Sequence, residues 1–463
     1  MADVTQLVAD LAGIACAVDP VTIRRKSRDW YSISPLLRRS LEGKLGDVVV
    51  TPKTKAEVIR VLAAAAKHRI PVTARGGGTA NYGQSVPLHG GVVLDMMELS
   101  GVQWVKPGLV RALGGTLVSE IDNVARKSGW ELRFHPSTKD TATIAGFVAG
   151  GTGGPGSAAY GVLRDRGNIA AIEIVSMEEE PKLIELRGKD VHLAHHAYGA
   201  SGIITEVEMP LAPAWNWMEA VVAFPRYIQA VQFGVNVGNE DGIIKKLLSC
   251  HGWPTPRLMR DLGGIVPEGH SMVSCLIADI SWLDFTEMVE DAGGIIAGSS
   301  PEGKGVYGIP LYEFSFGHAL YQIQKTEPKR TAVEGLFHEP DLIAQVARVY
   351  ERVKDYGPMR MELRRWGGRL VGSGTPYFLF ESEDQMATIA RIMQDEGVIV
   401  ANPHASSLRS IGKKEVSAAD VAFKRRMDPF GLLNPGRFDA DQASDASFNT
   451  KLDVRRAAGG PSL

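Results

Sequence analysis

Three consecutive glycines constrain this chain more than any other feature. Arg75-Gly76-Gly77-Gly78-Thr79 stands between two short apolar runs, at residues 70–73 and 91–95. Residues without side chains let backbone N–H groups come close to a ligand, an arrangement that suits a diphosphate. A glycine triplet also makes ordinary tight turns, so the tract alone names no ligand. Two more clusters join it: a glycine-rich tract from Gly146 to Gly161, and the pair Gly199 and Gly202.

At 463 residues the chain is longer than one hydrophobic core usually serves, so more than one domain is expected. The formal net charge is −2 and both signs are mixed along the chain, which argues against a nucleic-acid partner. The three cysteines, Cys16, Cys250 and Cys275, are far apart and show neither disulfide nor zinc-knuckle spacing. A reducing, cytoplasmic setting fits them. Residues 1–4 lack a basic region followed by an apolar core, so no secretory signal is expected, and no apolar run is long enough to cross a bilayer. Peripheral attachment to a membrane and assembly as a homodimer are left open.

Residues 1–41 read as an arm of short helices, with Val4, Leu7, Val8 and Leu11 on one face. A helix is expected over 55–68, where Val58, Ile59, Leu62 and Ala66 form a stripe between β-prone runs at 48–50 and 72–73. Strands follow at 91–95, 102–105 and 109–112, with a helix over 117–128. A hairpin is expected at 171–185, its acidic tip at Glu178-Glu179-Glu180. Two prolines, Pro210 and Pro213, close the next strand, and a boundary is placed there. The organisation read from the chain is an arm at 1–41, a first domain at 42–213, a second at 214–420 built as an antiparallel sheet carrying helices, and a segment at 421–463 that returns to the first.

Gly151, Gly153 and Gly156 satisfy the G-x-G-x-x-G pattern of a nicotinamide-binding turn, with Glu173 at a suitable distance to hold a ribose. The context does not: residues 143–149 show no β-branched alternation before the motif, and Pro155 with Gly156 disfavours a helix after it. The pair His192 and His196 has helical metal-pair spacing but no acid at a useful distance, so no metal is expected.

Taken together, the tracts resemble the FAD-binding lobe of the vanillyl-alcohol oxidase / p-cresol methylhydroxylase flavoprotein family (PCMH-type), near its D-lactate dehydrogenase and glycolate oxidase branch. The matching pieces are Val50-Thr51-Pro52 with Glu57-Val58, residues 74–79, His135-Pro136-Ser137, Thr143-Ile144-Ala145-Gly146, Tyr160 to Asp165, Gly199 to Thr205, and Asp428 to Gly436. The resemblance implies an α+β fold: a two-lobed flavin-binding domain with an α+β cap over the flavin. It also implies FAD held by main-chain groups in two loops. Arg75, Gly76, Gly77, Gly78, Thr79, Gln84 and Ser85 would belong to the first. His135, Pro136, Ser137, Thr138, Thr143, Gly146, Gly150, Gly151 and Gly153 would belong to the second, with Tyr160 and Gly161 after it. Gly202, Ile203, Ile204 and Asn434 would also approach the flavin. Members that bind FAD covalently through the first loop carry histidine where Thr79 stands, so a non-covalent flavin is implied. Ala200, where relatives have serine, departs from the pattern.

Side chains cannot reversibly take a hydride from an alcohol carbon, so the cofactor must. The hydroxyl proton needs a base poised near neutrality, and histidine suits that role. His318 ends a run, residues 312–318, in which aromatic and polar residues alternate as in a half-buried strand. His404 is the second candidate. A guanidinium suits a carboxylate, which brings in the arginines of 364–369, with Arg365 the candidate, and Arg409. The expected reaction is oxidation of a small alcohol, a D-2-hydroxy acid such as lactate or glycolate, with electrons passing to oxygen, a quinone or a carrier protein. Two alternatives remain: a 4-alkylphenol or aromatic alcohol oxidase, if Trp253, Trp282, Tyr321 and Tyr377 line the pocket, and a flavin-carrying subunit inactive without a partner.

Overall fold

The computed structural model describes residues 4–151, 153–259, 262, 264–305, 308–338 and 340–438. Residues 1–3, Thr152 of the G-x-G-x-x-G tract and the tail from Asp439 lie outside the described residues. Three sheets organise what is described.

The first has four strands in the order Ala15–Ala17, Val48–Thr51, Val92–Asp95, Val72–Arg75, and its last three strands run parallel. Their β-branched residues are buried at Val48, Val50, Val72 and Val92, because a parallel sheet is covered on both faces. The Lys55–His68 helix makes the crossover, with Thr54 capping the amide of Glu57 at 3.2 Å and Val58, Val61, Leu62 and Ala65 buried beneath it. The N-terminal arm is not helical throughout: Ala15–Ala17 pairs antiparallel with Val48–Thr51 and becomes an edge of this sheet.

The second sheet is antiparallel, in the order Val102–Lys106, Leu109–Leu113, Ile203–Pro213, Ala171–Val175, Leu183–Arg187, with Trp130–Leu132 paired to the far end of Ile203–Pro213. The third, the cap sheet, is antiparallel across nine strands. Its central strands Lys245–His251, Met359–Trp366 and Arg369–Leu379 present Cys250, Met359, Met361 and Leu363 to a core shared with the Tyr227–Asn239, Leu342–Val353 and Glu383–Asp395 helices. In Leu342–Val353 the buried positions Leu342, Val346, Val349 and Val353 recur at helical spacing under an Asp341 cap. The opposite face of the sheet looks toward the glycine tracts.

Two devices join these parts. The closing segment returns to the first sheet: Val72 N–H donates to Leu432 O and Asn434 N–H to Val72 O, each at 2.8 Å. Asp428 accepts the amides of Leu432 and Leu433 at 2.9 and 2.8 Å and pairs with Lys424. At the seam with the cap, Lys246 Nζ stands 3.1 Å from Glu131 Oε1, both side chains almost fully buried. Trp217 Nε1 donates to the same carboxylate at 3.0 Å, and Arg126 pairs with it from the other side. Burial pulls the Lys246 ammonium down, but the Glu131 and Asp122 carboxylates outweigh it and raise its pKa, so it stays charged. Among the described residues no helix is long and apolar enough to cross a membrane.

Removing one partner of a buried ion pair strands the other charge. Lys246→Met is therefore expected to destabilise the protein by about 3 kcal/mol, the low end of such losses because Arg126 remains. Urea denaturation followed by circular dichroism measures it, and an unchanged midpoint would contradict this account of the seam.

Candidate functional site

The glycine tracts meet in one cleft, which encloses about 1180 Å³ of atom-free space and is partly open to solvent. One wall is the turn that leaves Val72–Arg75, and the opposite wall is the loop and helix over residues 136–150. Side chains cannot stand between them. A Cβ on Gly77 would lie 1.8 Å from the carbonyl oxygen of Thr141, and one on Gly76 would lie 2.1 Å from Thr143 Oγ1. Arg75 donates to the carbonyls of Gly76 at 2.8 Å and Gly77 at 3.4 Å. The N–H groups of Gly77, Gly78 and Thr79 have no partner among the described residues. On the same wall Gln84 Nε2 and Ser85 Oγ are buried polar atoms without a hydrogen bond. Buried donors left unsatisfied are costly, so the cleft is built for a ligand rich in acceptors. An extended dinucleotide diphosphate fits this donor set and this shape.

Asn434 holds the cradle together from behind. Its Nδ2 donates to Gln84 O and to Tyr198 O, each at 2.8 Å, and its backbone is left-handed at φ +41°. Its amide thus ties the first loop to the Gly199 turn and to the sheet. Arg437, fully buried, donates to Ser406 O at 3.0 Å, to Val86 O at 2.9 Å and to Gly83 O. Burial pulls its pKa down to about 10, still far above neutrality.

A second cavity, about 1300 Å³ of atom-free space, adjoins the first and shares Asn81, Gly150, Gly153, Phe316 and Gly317 with it. The cap sheet forms its floor. Arg360, Glu362 and Arg364 alternate along one strand and so share a face. Arg360 is engaged by Glu362 at 3.5 Å, by Thr375 Oγ1 at 3.0 Å and by Phe316 O. Lys413 is engaged by Glu334 at 2.6 Å and Tyr82 OH at 2.7 Å. Burial would raise the Glu334 carboxyl, but the Lys413 ammonium overrides it and holds the pKa down to about 2. Arg364 differs: among the described residues it has no hydrogen-bond or ion-pair partner, its Nε is buried, and burial lowers its pKa.

Of the residues expected at the cofactor, Arg75, Gly76, Gly77, Gly78, Thr79, Gln84 and Ser85 line the first cleft. So do Pro136, Ser137, Thr138, Thr143, Gly146, Gly150, Gly153, Ile203 and Ile204. Others lie elsewhere. Gly151 ends the Ile144–Gly150 helix at φ +65° and faces the second cavity. His135 is fully buried behind the wall, its Nδ1 2.9 Å from Pro136 O, and burial pulls its pKa well down, so it is neutral. Tyr160 and Gly161 form a turn closed on Asp165 and Asn168, Gly202 packs on Ile174, and Asn434 stands behind the cleft.

The three catalytic candidates separate. Residues 312–318 are not a strand: a 3-10 turn, Leu311–Phe314, leads into a helix, Phe316–Gln324, because Ser315 accepts no ladder partner and turns its hydroxyl onto Tyr312 O. His318 still lines the first cleft. Its ring lies 5.0 Å from that of Trp30 and 5.4 Å from that of Tyr321, and its Nδ1 is 2.7 Å from Glu313 Oε2, close enough for an ion pair. His404 lines neither cavity. Its Nε2 donates to Ala332 O and its Nδ1 accepts from Ser34 Oγ, both at 2.8 Å, and burial holds its pKa at about 4, which makes it a neutral strut. Arg365 alternates to the other face of its strand and bonds Gly238 O and Asp241, each at 3.3 Å, away from both cavities. Trp253, Trp282 and Tyr321 are absent from the second cavity, whereas Tyr377 lines it. Sequence reasoning missed Arg360, Lys413, Tyr82 and Trp30; the period-2 pattern of 359–366 was the one signal pointing at Arg360 and Arg364.

A glycine-walled dinucleotide cleft under an antiparallel cap defines a flavoprotein-type α+β protein. Residues 46–180 match the family model described as an FAD binding domain, and the chain carries an FAD-binding domain of this PCMH type. It is 28% identical over 204 residues to a D-lactate dehydrogenase of Archaeoglobus fulgidus, covering 42% of this chain and 45% of that one. It is 26% identical over 230 residues to glycolate oxidase subunit GlcD of Bacillus subtilis, covering 47% and 48%. Matched regions thus span about half the length of these two relatives. With Escherichia coli GlcD the identity is 28% over 431 residues, 84% of this chain and 83% of that one. Among solved structures, an alkyldihydroxyacetonephosphate synthase has the same fold, with a TM-score of 0.70 at 16% identity, covering 93% of this chain and 86% of that one.

Gly77→Ala is expected to yield folded but colourless protein, since the added carbon meets backbone rather than a movable side chain. Flavin absorbance per mole of protein, read beside the circular dichroism spectrum, tests this, and a yellow, fully loaded variant would count against the cradle.

Proposed function

We propose that the chain is an FAD-dependent oxidoreductase that oxidises a 2-hydroxy acid to the 2-oxo acid, with FAD held non-covalently. The observation that carries the reading is Arg364: a guanidinium without a partner, in a cavity that abuts the dinucleotide cleft through Gly150, Gly153, Phe316 and Gly317. The Glu334, Glu362 and Asp165 carboxylates act on Arg364 only through space, and a substrate carboxylate would supply the planar acceptor pair that a guanidinium fork matches.

FAD supplies the two-electron acceptor for the hydride from C2, and a separate acceptor, oxygen, a quinone or a carrier protein, takes the electrons on. The protein's own residues orient and deprotonate. Arg364 binds the carboxylate. His318, which lies near the Glu313 carboxylate and packs against the stacked rings of Trp30 and Tyr321, takes the hydroxyl proton. Arg360, already neutralised by Glu362, shapes the floor instead of binding a second anion. Thr79 lines the cleft, and by the family resemblance it stands where covalently linked members carry histidine. The relatives named D-lactate dehydrogenase and glycolate oxidase subunit lend the same reading support. The phenol alternative loses three of its four lining aromatics, because Trp253, Trp282 and Tyr321 do not reach the second cavity.

The test is anaerobic bleaching of the flavin bands by D-2-hydroxy acids. Arg364→Met is expected to keep full flavin content and to weaken reduction ten- to a hundredfold, the equivalent of about 1.5–3 kcal/mol for a charged hydrogen bond. Bleaching by 4-alkylphenols and by no hydroxy acid would reverse the reading. Acid precipitation is expected to leave the yellow colour in solution; colour retained in the pellet would contradict the assignment at Thr79.

A further inference from the structure

The cavity beside the flavin cleft is unevenly polar: Arg360, Arg364, Glu334 and Lys413 line one part of it, and Leu336, Ile399, Val162 and Leu163 another. Strand register shows how its floor is laid. Glu362 pairs with Ser373, Ser373 with Leu336, and Leu336 with Ile399, so these four positions form one row across four strands. The row passes from polar to apolar as it crosses the sheet. Leu336, Ile399 and Val371 pack into one buried cluster with Trp366 against it, and Val162 and Leu163 face the cavity from the flavin-binding side.

Charge is distributed just as unevenly. Among the cations that line the cavity, Lys413 is held by Glu334, and Arg360 by Glu362. Arg164 donates to Lys413 O at 2.5 Å. Arg364 remains, as above. Its guanidinium carbon lies 5.5 Å from the Trp366 ring centroid, and that of Arg164 lies 5.0 Å from the same ring. The indole therefore lies beside the anion position, and the apolar row continues from it. A second carboxylate placed at Leu336 and Ile399 would lose water without gaining a donor.

We infer that this cavity selects 2-hydroxy acids with one carboxylate and a bulky apolar substituent, such as an isobutyl or benzyl group, over glycolate, lactate and hydroxy-dicarboxylates. The inference rests on the proposed reaction for its catalytic arm and on the cavity alone for its binding arm. Arg364 holds the carboxylate, the reacting carbon lies toward Gly153 and Phe316, and the substituent lies on Trp366, Leu336 and Ile399. Each methylene taken from water adds about fourfold in binding. Three carbons more than lactate then give roughly sixtyfold.

Two measurements on the flavin-loaded protein test it. In the first, anaerobic bleaching is followed against concentration for D-lactate, D-2-hydroxy-4-methylpentanoate, D-3-phenyllactate and D-2-hydroxyglutarate. The expected result is a second-order constant at least tenfold higher for the isobutyl and benzyl acids than for lactate, with hydroxyglutarate lowest; lactate or hydroxyglutarate in first place overturns the inference while leaving the proposed reaction standing. In the second, binding of pyruvate, 4-methyl-2-oxopentanoate and 2-oxoglutarate is titrated by the perturbation of the flavin spectrum. Tighter binding of 4-methyl-2-oxopentanoate supports the inference even if no hydroxy acid bleaches the flavin, a result that would remove only the reaction. Equal or weaker binding overturns it. Leu336→Arg is expected to cut the preference for isobutyl over methyl at least tenfold and to tighten 2-oxoglutarate. Leu163→Trp, on the opposite wall, is the alternative if that variant does not fold, and is expected to cut the same preference by filling the space; a preference unchanged in a folded variant counts against the assigned wall.

Discussion

A diphosphate gripped by main-chain groups demands that several loops, far apart in sequence, be held within hydrogen-bonding reach while presenting no side chains. Asn434 meets that demand here. From a left-handed backbone position its amide donates to Gln84 O and Tyr198 O while its own N–H reaches Val72 O. Each such bond adds about 1 kcal/mol net, but leaving those carbonyls buried and unpaired would cost more. The closing segment is thus part of the cradle, and Asp428 and Arg437 on either side fix its path.

The cap follows from a different constraint. A pleated strand sends alternate residues to opposite faces, so Met359, Met361 and Leu363 can serve the helix-covered core while Arg360, Glu362 and Arg364 lie on the other face, where Arg360 and Arg364 line the cavity. The helices cover one face because the apolar residues are there. The other face is free to be polar because it fronts a cavity, lined from the far side by Gly150, Gly151 and Gly153 together with Val162, Leu163, His195 and His196. Pairing of Lys413 with Glu334 and Arg360 with Glu362 keeps most of that charge neutral, and the contrast makes Arg364 stand out. The Lys246–Glu131 pair at the seam keeps cap and cradle in register, since neither buried ion tolerates separation from the other.

Much of the cradle was legible in the sequence because glycine has few uses: a run of residues without side chains signals a close backbone approach, and Gly76, Gly77, Gly78, Gly146, Gly150 and Gly153 all reach the cleft. The catalytic candidates were harder to read. Arg364 and Arg365 are chemically identical neighbours, and only strand register decides which one faces the cavity. His404 has a histidine's chemistry but sits between Ser34 and Ala332, far away in sequence. The alternation at 312–318 suggested a strand, yet Ser315 and the packing of Leu311, Phe314 and Leu320 in one core cluster favoured a turn and a helix.

By itself the sequence determined the local elements: the β-branched parallel runs, the capped Lys55–His68 helix, the glycine turns and the flavin-binding class they resemble. These depend on backbone freedom and hydrophobic period, which are properties of neighbouring residues. Tertiary structure alone decided that Asn434 works from behind the cleft, that Arg365 faces away, and that Trp366, Leu336 and Ile399 form an apolar wall beside Arg364. Those outcomes depend on which strands pair and in what register, and pairing is set by contacts between segments as much as three hundred residues apart.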